Sequence, residues 1–156
     1  MFFKAFLGAA VSLLLAVPAA AQPRAGGSAT LVIHVQKVSP KGGTLRLGLY
    51  TEASYPDDDS KPVASAEMAA KGGEMVLTLT NVPPGTYAIQ TYQDINSNDK
   101  MDQSWVGLPL EPFGFSRDAR PRLSKPRFAE VKFEVVPGMN VQTLHLQDSV
   151  SIIAEK

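Results

Sequence analysis

The chain has 156 residues, no cysteine, and equal numbers of acidic and basic residues, fifteen of each. The absence of cysteine excludes disulfide bonds, thiol catalysis and thiolate zinc sites. A formal net charge of zero provides no overall field for nucleic acid or for an anionic membrane. Nucleic acid is therefore not an expected partner, and any charged partner must be recognised by a local patch.

The first 21 residues have the composition of a cleavable secretory signal peptide. Lys4 supplies a positive charge, residues 5–17 are almost wholly apolar, and three alanines precede Gln22. The apolar run is shorter than the roughly 20 residues that span a bilayer. We therefore predict cleavage after Ala21, a periplasmic or secreted protein, and no transmembrane segment once the signal is removed.

The rest of the chain divides into three parts. Residues 22–28 contain proline and glycine without apolar periodicity and are expected to form a flexible leader. Residues 29–148 are of a length typical of one domain. Residues 149–156 follow the last predicted strand as a C-terminal tail.

Apolar residues recur at every second position in several short segments, as in strands with one buried face. Such alternation covers residues 30–36, 44–49, 75–80 and 129–135, with a weaker strand at 63–70 and further strands at 86–92 and 141–146. The Gly-rich turns at 39–43 and 71–73 predict two hairpins. Pro83 and Pro84 lack ladder donors and are expected to carry the chain between sheets.

About seven short strands without helical periodicity predict an all-β fold, a single antiparallel β-sandwich of the immunoglobulin-like or transthyretin-like kind. A partly closed barrel is the alternative. The connection between the fifth and sixth strands, residues 103–127, is far longer than the usual 4–6 residues or so. A connection of that length is expected to be a binding segment or a packed lid.

Oxygen-bearing side chains alternate in the segment after the fifth strand, as they do in calcium loops. We predict a calcium-type site formed by Asp94, Asn96, Asn98, Lys100 and Asp102, with Lys100 contributing its backbone carbonyl. The alternative is an Asx-rich turn whose side chains cap their own backbone.

Two residues depart from the calcium-loop pattern. Asp99 occupies the glycine position, although aspartate tolerates the left-handed conformation required there. Trp105 occupies the position of the bidentate glutamate, so Glu111, water or a carboxylate such as Asp57 must complete the shell.

Arginines and aromatic residues are interleaved in the long connection. The candidate ligand-binding residues are Trp105, Phe113, Phe115, Arg117, Arg120 and Arg122. Guanidinium groups beside aromatic rings suit an anionic glycan or a lipid head group. The alternatives are core packing for the aromatic residues and pairing of the arginines with acids such as Asp118.

His34 and His145 lie in predicted strands without a nearby serine or acid in a recognisable motif. We therefore predict no enzyme activity, and a metal-assisted hydrolase is the weakest alternative. The expected function is a non-enzymatic exported binding or structural module, in which a calcium loop orders a long binding segment. A glycan, a lipid head group or a periplasmic protein is the expected partner.

Four motifs in this order resemble a family of small exported bacterial proteins, domain of unknown function 2141. They are Tyr55-Pro56-Asp57-Asp58, residues 82–89 around Pro-Pro-Gly-Thr-Tyr, the Asp/Asn loop at 94–102, and Phe113-Gly114-Phe115-Ser116. The resemblance implies no activity. The Pro-Pro-Gly-Thr-Tyr segment is also similar to transthyretin-like and collagen-adhesin repeat sandwiches, which implies a fold only.

Overall fold

The computed structural model describes residues 27–149, except Asp58 and Leu123. The predicted signal peptide, most of the predicted leader and the predicted tail beyond Ser149 lie outside the described residues. The eight strands of the described part are β1 (Ala29–Val38), β2 (Thr44–Tyr50), β3 (Ala64–Ala69), β4 (Gly73–Val82), β5 (Gly85–Asp94), β6 (Phe113–Phe115), β7 (Phe133–Val135) and β8 (Gly138–His145). A 3₁₀ turn spans Ser116–Asp118, and one short helix, α1, spans Phe128–Val131.

The strands form two sheets that pack against each other. The first sheet has the order β4-β1-β8, and the second has the order β3-β2-β5-β6. β7 pairs with the beginning of β5. The predicted all-β sandwich is thereby confirmed.

Apolar side chains on alternate positions build the core between the sheets. These side chains are almost completely buried. They include Leu31, Ile33, Val35, Leu45, Leu47, Leu49, Leu77, Ile89 and Leu144. Burial of each such side chain stabilises the fold by roughly 1.5–3 kcal/mol. The period-two pattern thus identifies correctly which face of β1, β2 and β4 is inside.

Both predicted hairpins are wrong. β1 pairs with β4 and β8, and β2 pairs with β3 and β5, so each Gly-rich turn passes from one sheet to the other. Two consecutive strands with one apolar face each can lie side by side or face each other across a core. Alternation alone does not distinguish these arrangements, because both bury the same residues.

Other strand predictions are also corrected. β8 runs parallel to β1, so the sandwich is mixed and not wholly antiparallel. The long connection contains a strand, β6, which brings the strand number to eight. The segment expected to be a strand from Ala129 begins as α1 and becomes extended only at β7. A backbone bridge between Phe113 and Gln147 joins the two sheets along one edge.

The crossing at Pro83 and Pro84 is confirmed. It separates β4 in the first sheet from β5 in the second. The Tyr87 hydroxyl donates a 2.9 Å hydrogen bond to the carbonyl of Pro83, which anchors the crossing to β5. A similar tyrosine bond closes one corner in many sandwiches.

The turn between β1 and β2 is held by a buried glutamine. Gln93 Nε2 donates to the carbonyls of Ser39 (2.9 Å) and Gly42 (2.7 Å), and its Oε1 accepts from the Ser39 amide (2.8 Å). Gly43 passes so close to β5 that a β-carbon there would lie 2.1 Å from the Asp94 carbonyl oxygen. These contacts place the turn at the same end of the sandwich as the loop after β5.

We predict that Gln93→Leu lowers the free energy of unfolding by about 3 kcal/mol, because it leaves buried backbone groups without partners. Chemical denaturation of the purified protein measures the loss. Gln36→Leu is the matched control, since Gln36 makes only an exposed bond to Glu74; its change is expected within about 0.5 kcal/mol. Equal losses in both variants would contradict the role given to Gln93.

Candidate functional site

A buried ion pair joins β2 to the end of β5. Asp94 is fully buried, and its Oδ2 accepts a 3.1 Å hydrogen bond from Nε of Arg46. The same guanidinium contacts Glu67 (2.5 Å) on β3 and Asp99 in the loop that follows β5. Arg46 therefore connects two neighbouring strands to the loop.

Asp94 also caps the loop that it begins. Its carboxylate accepts hydrogen bonds from the backbone amides of Asp99 (2.9 Å) and Asn98 (3.1 Å). Burial by itself raises the pKa of Asp94, but these two amides and the Arg46 guanidinium outweigh it and hold the pKa below its ordinary value. Asp94 is thus an anion whose charge is matched within the fold.

The remaining polar side chains of the loop bind one another. Asp102 accepts hydrogen bonds from the side-chain amides of Asn96 (2.6 Å) and Asn98 (2.9 Å). The buried carboxylate of Glu111 accepts from the backbone amides of Ile95 (2.7 Å) and Asp102 (3.2 Å), at the two ends of the loop. Glu111 therefore ties the two ends of the loop together.

The structure gathers four of the predicted metal residues, Asp94, Asn96, Asn98 and Asp102, in one loop, and Lys100 donates its amide to Asn98 Oδ1. Asp99 adopts the left-handed conformation expected of it, with φ of 65°. Asp57 instead caps its own turn through Asp59 and Ser60. In the described part of the chain, no group of three acidic or histidine side chains is arranged to hold a metal ion. The calcium site stays a prediction.

A wide groove lies over the outer face of the second sheet. Its volume is about 1240 Å³, and its floor is formed by outward-facing residues of four neighbouring strands. Those residues are Ser65, Glu67, Arg46, Gly48, Tyr50, Gln90, Tyr92, Phe113 and Phe115. The loop after β5 forms one wall, and Pro121, Arg122, Ser124 and Lys125 contribute to another.

Two half-buried tyrosines give the floor its aromatic surface. A β-carbon at position 48 would lie 2.7 Å from Cε2 of Tyr50, so glycine at this position leaves room for the Tyr50 ring over β2. Burial raises the pKa of Tyr92, and nearby Asp94, Glu111 and Asp99 add to the rise against the opposing charge of Arg46. Tyr92 therefore stays a neutral hydroxyl.

Lys125 anchors this second wall to a second, smaller core. Lys125 Nζ donates a 2.7 Å hydrogen bond to the carbonyl of Tyr55 and lies 4.9 Å from the centre of its ring. Tyr55 is buried and packs edge-on against Phe128, with ring centres 5.8 Å apart. The second core, formed by Tyr55, Ala88, Phe113, Phe115, Phe128 and Val131, covers part of the sheet beside the groove.

The predicted arginine and aromatic cluster is divided among separate places. Arg122 lines the groove, whereas Arg120 lines a separate cleft of about 380 Å³ with Lys37 and Lys41. Arg117 is exposed at the 3₁₀ turn and lines neither. A connection that is extended in sequence folds around the end of the sandwich, so nearby positions reach different surfaces.

The predicted aromatic ligand-binding residues also lie in different places. Phe113 and Phe115 are buried in the second core, with ring centres 6.0 Å apart. Trp105 is 97% exposed. The three therefore do not form one stacking platform.

Both histidines face outward from the first sheet, each beside a carboxylate. His34 Nδ1 lies 2.7 Å from Glu74, and His145 Nδ1 lies 2.9 Å from Asp118. Asp118 also accepts a hydrogen bond from the His145 backbone amide (2.8 Å). Asp118, which the sequence suggested as an arginine partner, thus pairs with His145, and neither histidine lines the groove.

The sequence analysis did not single out Arg46, Tyr50 or Tyr92 as site residues. Each lies at an outward position of a strand whose alternate residues are apolar and inward. A large aromatic or cationic residue at an outward strand position is the feature of the sequence that could have indicated a site. The three residues come together only because β2 and β5 are neighbours in the sheet. Glu111 was considered only as one way to complete the metal shell.

The fold and the groove define an all-β protein, a two-sheet sandwich with an aromatic and polar surface on one outer face. Within the described residues, no helix has the length and apolar character needed to cross a membrane. The chain belongs to the bacterial family described as "Uncharacterized protein conserved in bacteria (DUF2141)", which it matches over residues 33–143. No curated protein and no solved structure matches the chain.

We predict that Asp94→Asn lowers the free energy of unfolding by about 2 kcal/mol at neutral pH, because it removes the charge that Arg46 and two amides stabilise. Since the folded pKa of Asp94 is lowered, its contribution is present at neutral pH and is lost as pH falls below about 4. Denaturation at neutral and acidic pH tests both statements.

Asp99→Asn is the matched control, because Asp99 contacts the same guanidinium but its side chain is 76% exposed. Its loss is expected to stay below about 1 kcal/mol. If the two variants lost equal stability, or if Asp94→Asn kept the full acid sensitivity of the wild type, the buried pair would not have the stated role.

The calcium prediction is tested by thermal melts with calcium and with a chelator. If the free calcium concentration is 100 times the dissociation constant, binding to the folded state adds about 2.7 kcal/mol to the free energy of unfolding and raises the melting temperature. Asp102→Asn is expected to abolish the rise, since it removes a loop carboxylate that does not contact Arg46. A wild-type melting temperature that calcium leaves unchanged would contradict the prediction.

Proposed function

We propose that the protein is a non-enzymatic binding module whose ligand, an extended anionic oligosaccharide, lies in the groove on the second sheet. The observation that carries the proposal is the combination of Tyr50 and Tyr92 on the groove floor with Arg122 and Lys125 on its wall. Aromatic rings offer flat apolar surfaces for sugar rings, and arginine offers paired donors to carboxylate or sulfate groups.

The charges of the groove favour an anionic over a neutral sugar. The acids lining it are Asp59, Glu67 and Asp99, and the last two contact Arg46. Lys100, Arg122 and Lys125 are the further cations of the lining. Arg46 engages two of the three lining acids, so an acidic ligand meets Lys100, Arg122 and Lys125 on the walls with Asp59 as the remaining acid.

The groove is also supported from beneath, which limits the entropy lost on binding. Thr91 Oγ1 donates a 2.7 Å hydrogen bond to the Arg46 carbonyl, and the Arg46 side chain is held by carboxylates on β3, β5 and the loop. Lys125 is fixed on Tyr55. Floor and wall residues are thus positioned before a ligand arrives.

A non-catalytic role agrees with the position of the titratable groups. Neither His34 nor His145 lines the groove: His34 pairs with Glu74 within the first sheet, and His145 pairs with Asp118 at the 3₁₀ turn. Export, if the predicted signal peptide acts as proposed, would bring the groove into contact with extracytoplasmic polysaccharides.

We expect the purified protein to be retarded in native gels that contain polygalacturonate or dextran sulfate, and not in gels that contain neutral dextran. Arg122→Ala is expected to weaken retention roughly tenfold, in line with the loss of one charge-assisted hydrogen bond. Tyr50→Ala should weaken it as well, because a stacking surface is lost.

Arg117→Ala and Arg120→Ala are the matched controls, since Arg117 lies outside the groove and Arg120 lines the other cleft. If the gel retains both variants as strongly as the wild type, the result supports binding of the sugar in the groove. Equal weakening by Arg117→Ala, or equal retention on neutral dextran, would overturn the proposal.

A further inference from the structure

A short ordered loop presents four apolar side chains to solvent. We call residues 104–110 the apolar tip. Trp105 is 97% exposed and Leu110 is 65% exposed, and Val106 and Leu108 are also exposed. Isolated exposed apolar residues are common, but four within six positions form a contiguous feature that marks an interaction surface.

The tip has a defined backbone structure. Ser104 N donates to the Leu108 carbonyl (2.8 Å), Gly107 N donates to the Ser104 carbonyl (2.9 Å), and Leu110 N donates to the Asp102 carbonyl (2.8 Å). Gly107 adopts φ of 79°, which favours glycine and closes the turn. The apolar side chains are therefore held outward by a small hairpin-like loop.

Cations flank the tip on both sides. Leu110 lines the smaller cleft together with Lys37, Lys41 and Arg120. On the other side, Lys100, Arg122 and Lys125 line the groove to which Val106 and Leu108 also belong. Lys125 is bound to Tyr55, which follows the end of β2 opposite the loop after β5. The cations assigned to the tip's end of the sandwich are therefore Lys37, Lys41 and Arg120 of the smaller cleft and Lys100 of the loop.

Most acids of this end are engaged inside the protein. Asp94 and Glu111 are buried, Asp99 contacts Arg46, and Asp102 accepts hydrogen bonds from two asparagine amides. Asp148 lines the smaller cleft beside its three cations. Arg46 matches the charges of Asp94 and Asp99, whereas Asp102 and Asp148 keep their charges beside the four cations Lys37, Lys41, Lys100 and Arg120.

We infer that this end of the sandwich docks on an anionic phospholipid surface, with the apolar tip inserted and the flanking cations at the phosphates. A tryptophan beside aliphatic residues suits the boundary between head groups and acyl chains, where its ring has both apolar and polar surroundings. Lysine and arginine near an anionic bilayer add attraction that salt screens. The sugar proposal uses neither the apolar tip nor the cations of the smaller cleft, although Lys100 serves in both. Variants at Trp105 and Lys41 therefore test the lipid contact separately from sugar binding.

The test exploits the fact that Trp105 is the single tryptophan of the chain. Vesicles of phosphatidylglycerol and phosphatidylcholine are added to the purified protein, and pure phosphatidylcholine vesicles serve as the neutral comparison. We expect a blue shift of Trp105 emission and co-sedimentation with the anionic vesicles, both weakened by salt. If the Trp105 ring inserts into the bilayer, lipids with brominated acyl chains should quench its fluorescence.

Variants locate the contact. Trp105→Ser is expected to weaken co-sedimentation at least about tenfold, because an inserted aromatic side chain is lost. Lys41→Gln is expected to weaken co-sedimentation about fivefold, because one positive charge at the membrane surface is lost. Both side chains are exposed, so we expect both variants to keep melting temperatures close to that of the wild type. This measurement confirms that the fold is intact.

Met139→Ser and Lys132→Gln are the matched controls, since both residues are exposed at the opposite end of the sandwich. Unchanged binding by these controls supports the tip as the contact. Equal losses in the controls, binding to neutral vesicles of the same strength, or the absence of a blue shift would overturn the inference. A blue shift that rises with protein concentration without vesicles would also overturn it, by identifying a second copy of the chain as the occupant.

Discussion

The buried pair between Arg46 and Asp94 is the interaction on which the functional end of this protein depends. Asp94 has no exposed surface, so its charge is tolerated only because Arg46 and two loop amides compensate it. The same guanidinium reaches Glu67 and Asp99. One side chain thereby ties β3, β2 and β5 to the loop that forms a wall of the groove and leads into the apolar tip.

The sandwich uses its two faces for different purposes. Inward positions of the long strands are apolar and build the main core, whereas outward positions of the second sheet carry Arg46, Tyr50, Gln90 and Tyr92. The long connection adds β6 to the edge of this sheet, and α1, which follows it, contributes Phe128 and Val131 to a second core beside the groove. A surface that would otherwise be flat thus acquires walls.

Structural roles account for the motifs shared with the family. Tyr87 anchors the crossing at Pro83, and Tyr55 lies in the second core. A β-carbon at Gly114 would lie 2.9 Å from the His145 carbonyl oxygen, so glycine lets β6 pack against β8. The buried Ser116 hydroxyl accepts from the Ile89 amide (3.0 Å) and donates to the Val131 carbonyl (2.5 Å).

The sequence by itself determined the all-β class, the buried faces of β1, β2 and β4, the crossing at Pro83 and the turn-forming loop at Asp94. Period-two patterning and turn chemistry are local properties, so the sequence alone specifies them. Only the tertiary structure decided which strands are neighbours, since pairing side by side and packing face to face bury the same residues. That choice separated Arg120 from Arg122, joined Arg46 to Asp94, and placed Tyr50 beside the strand of Tyr92. The candidate site depends on contacts between distant segments, which no local pattern specifies.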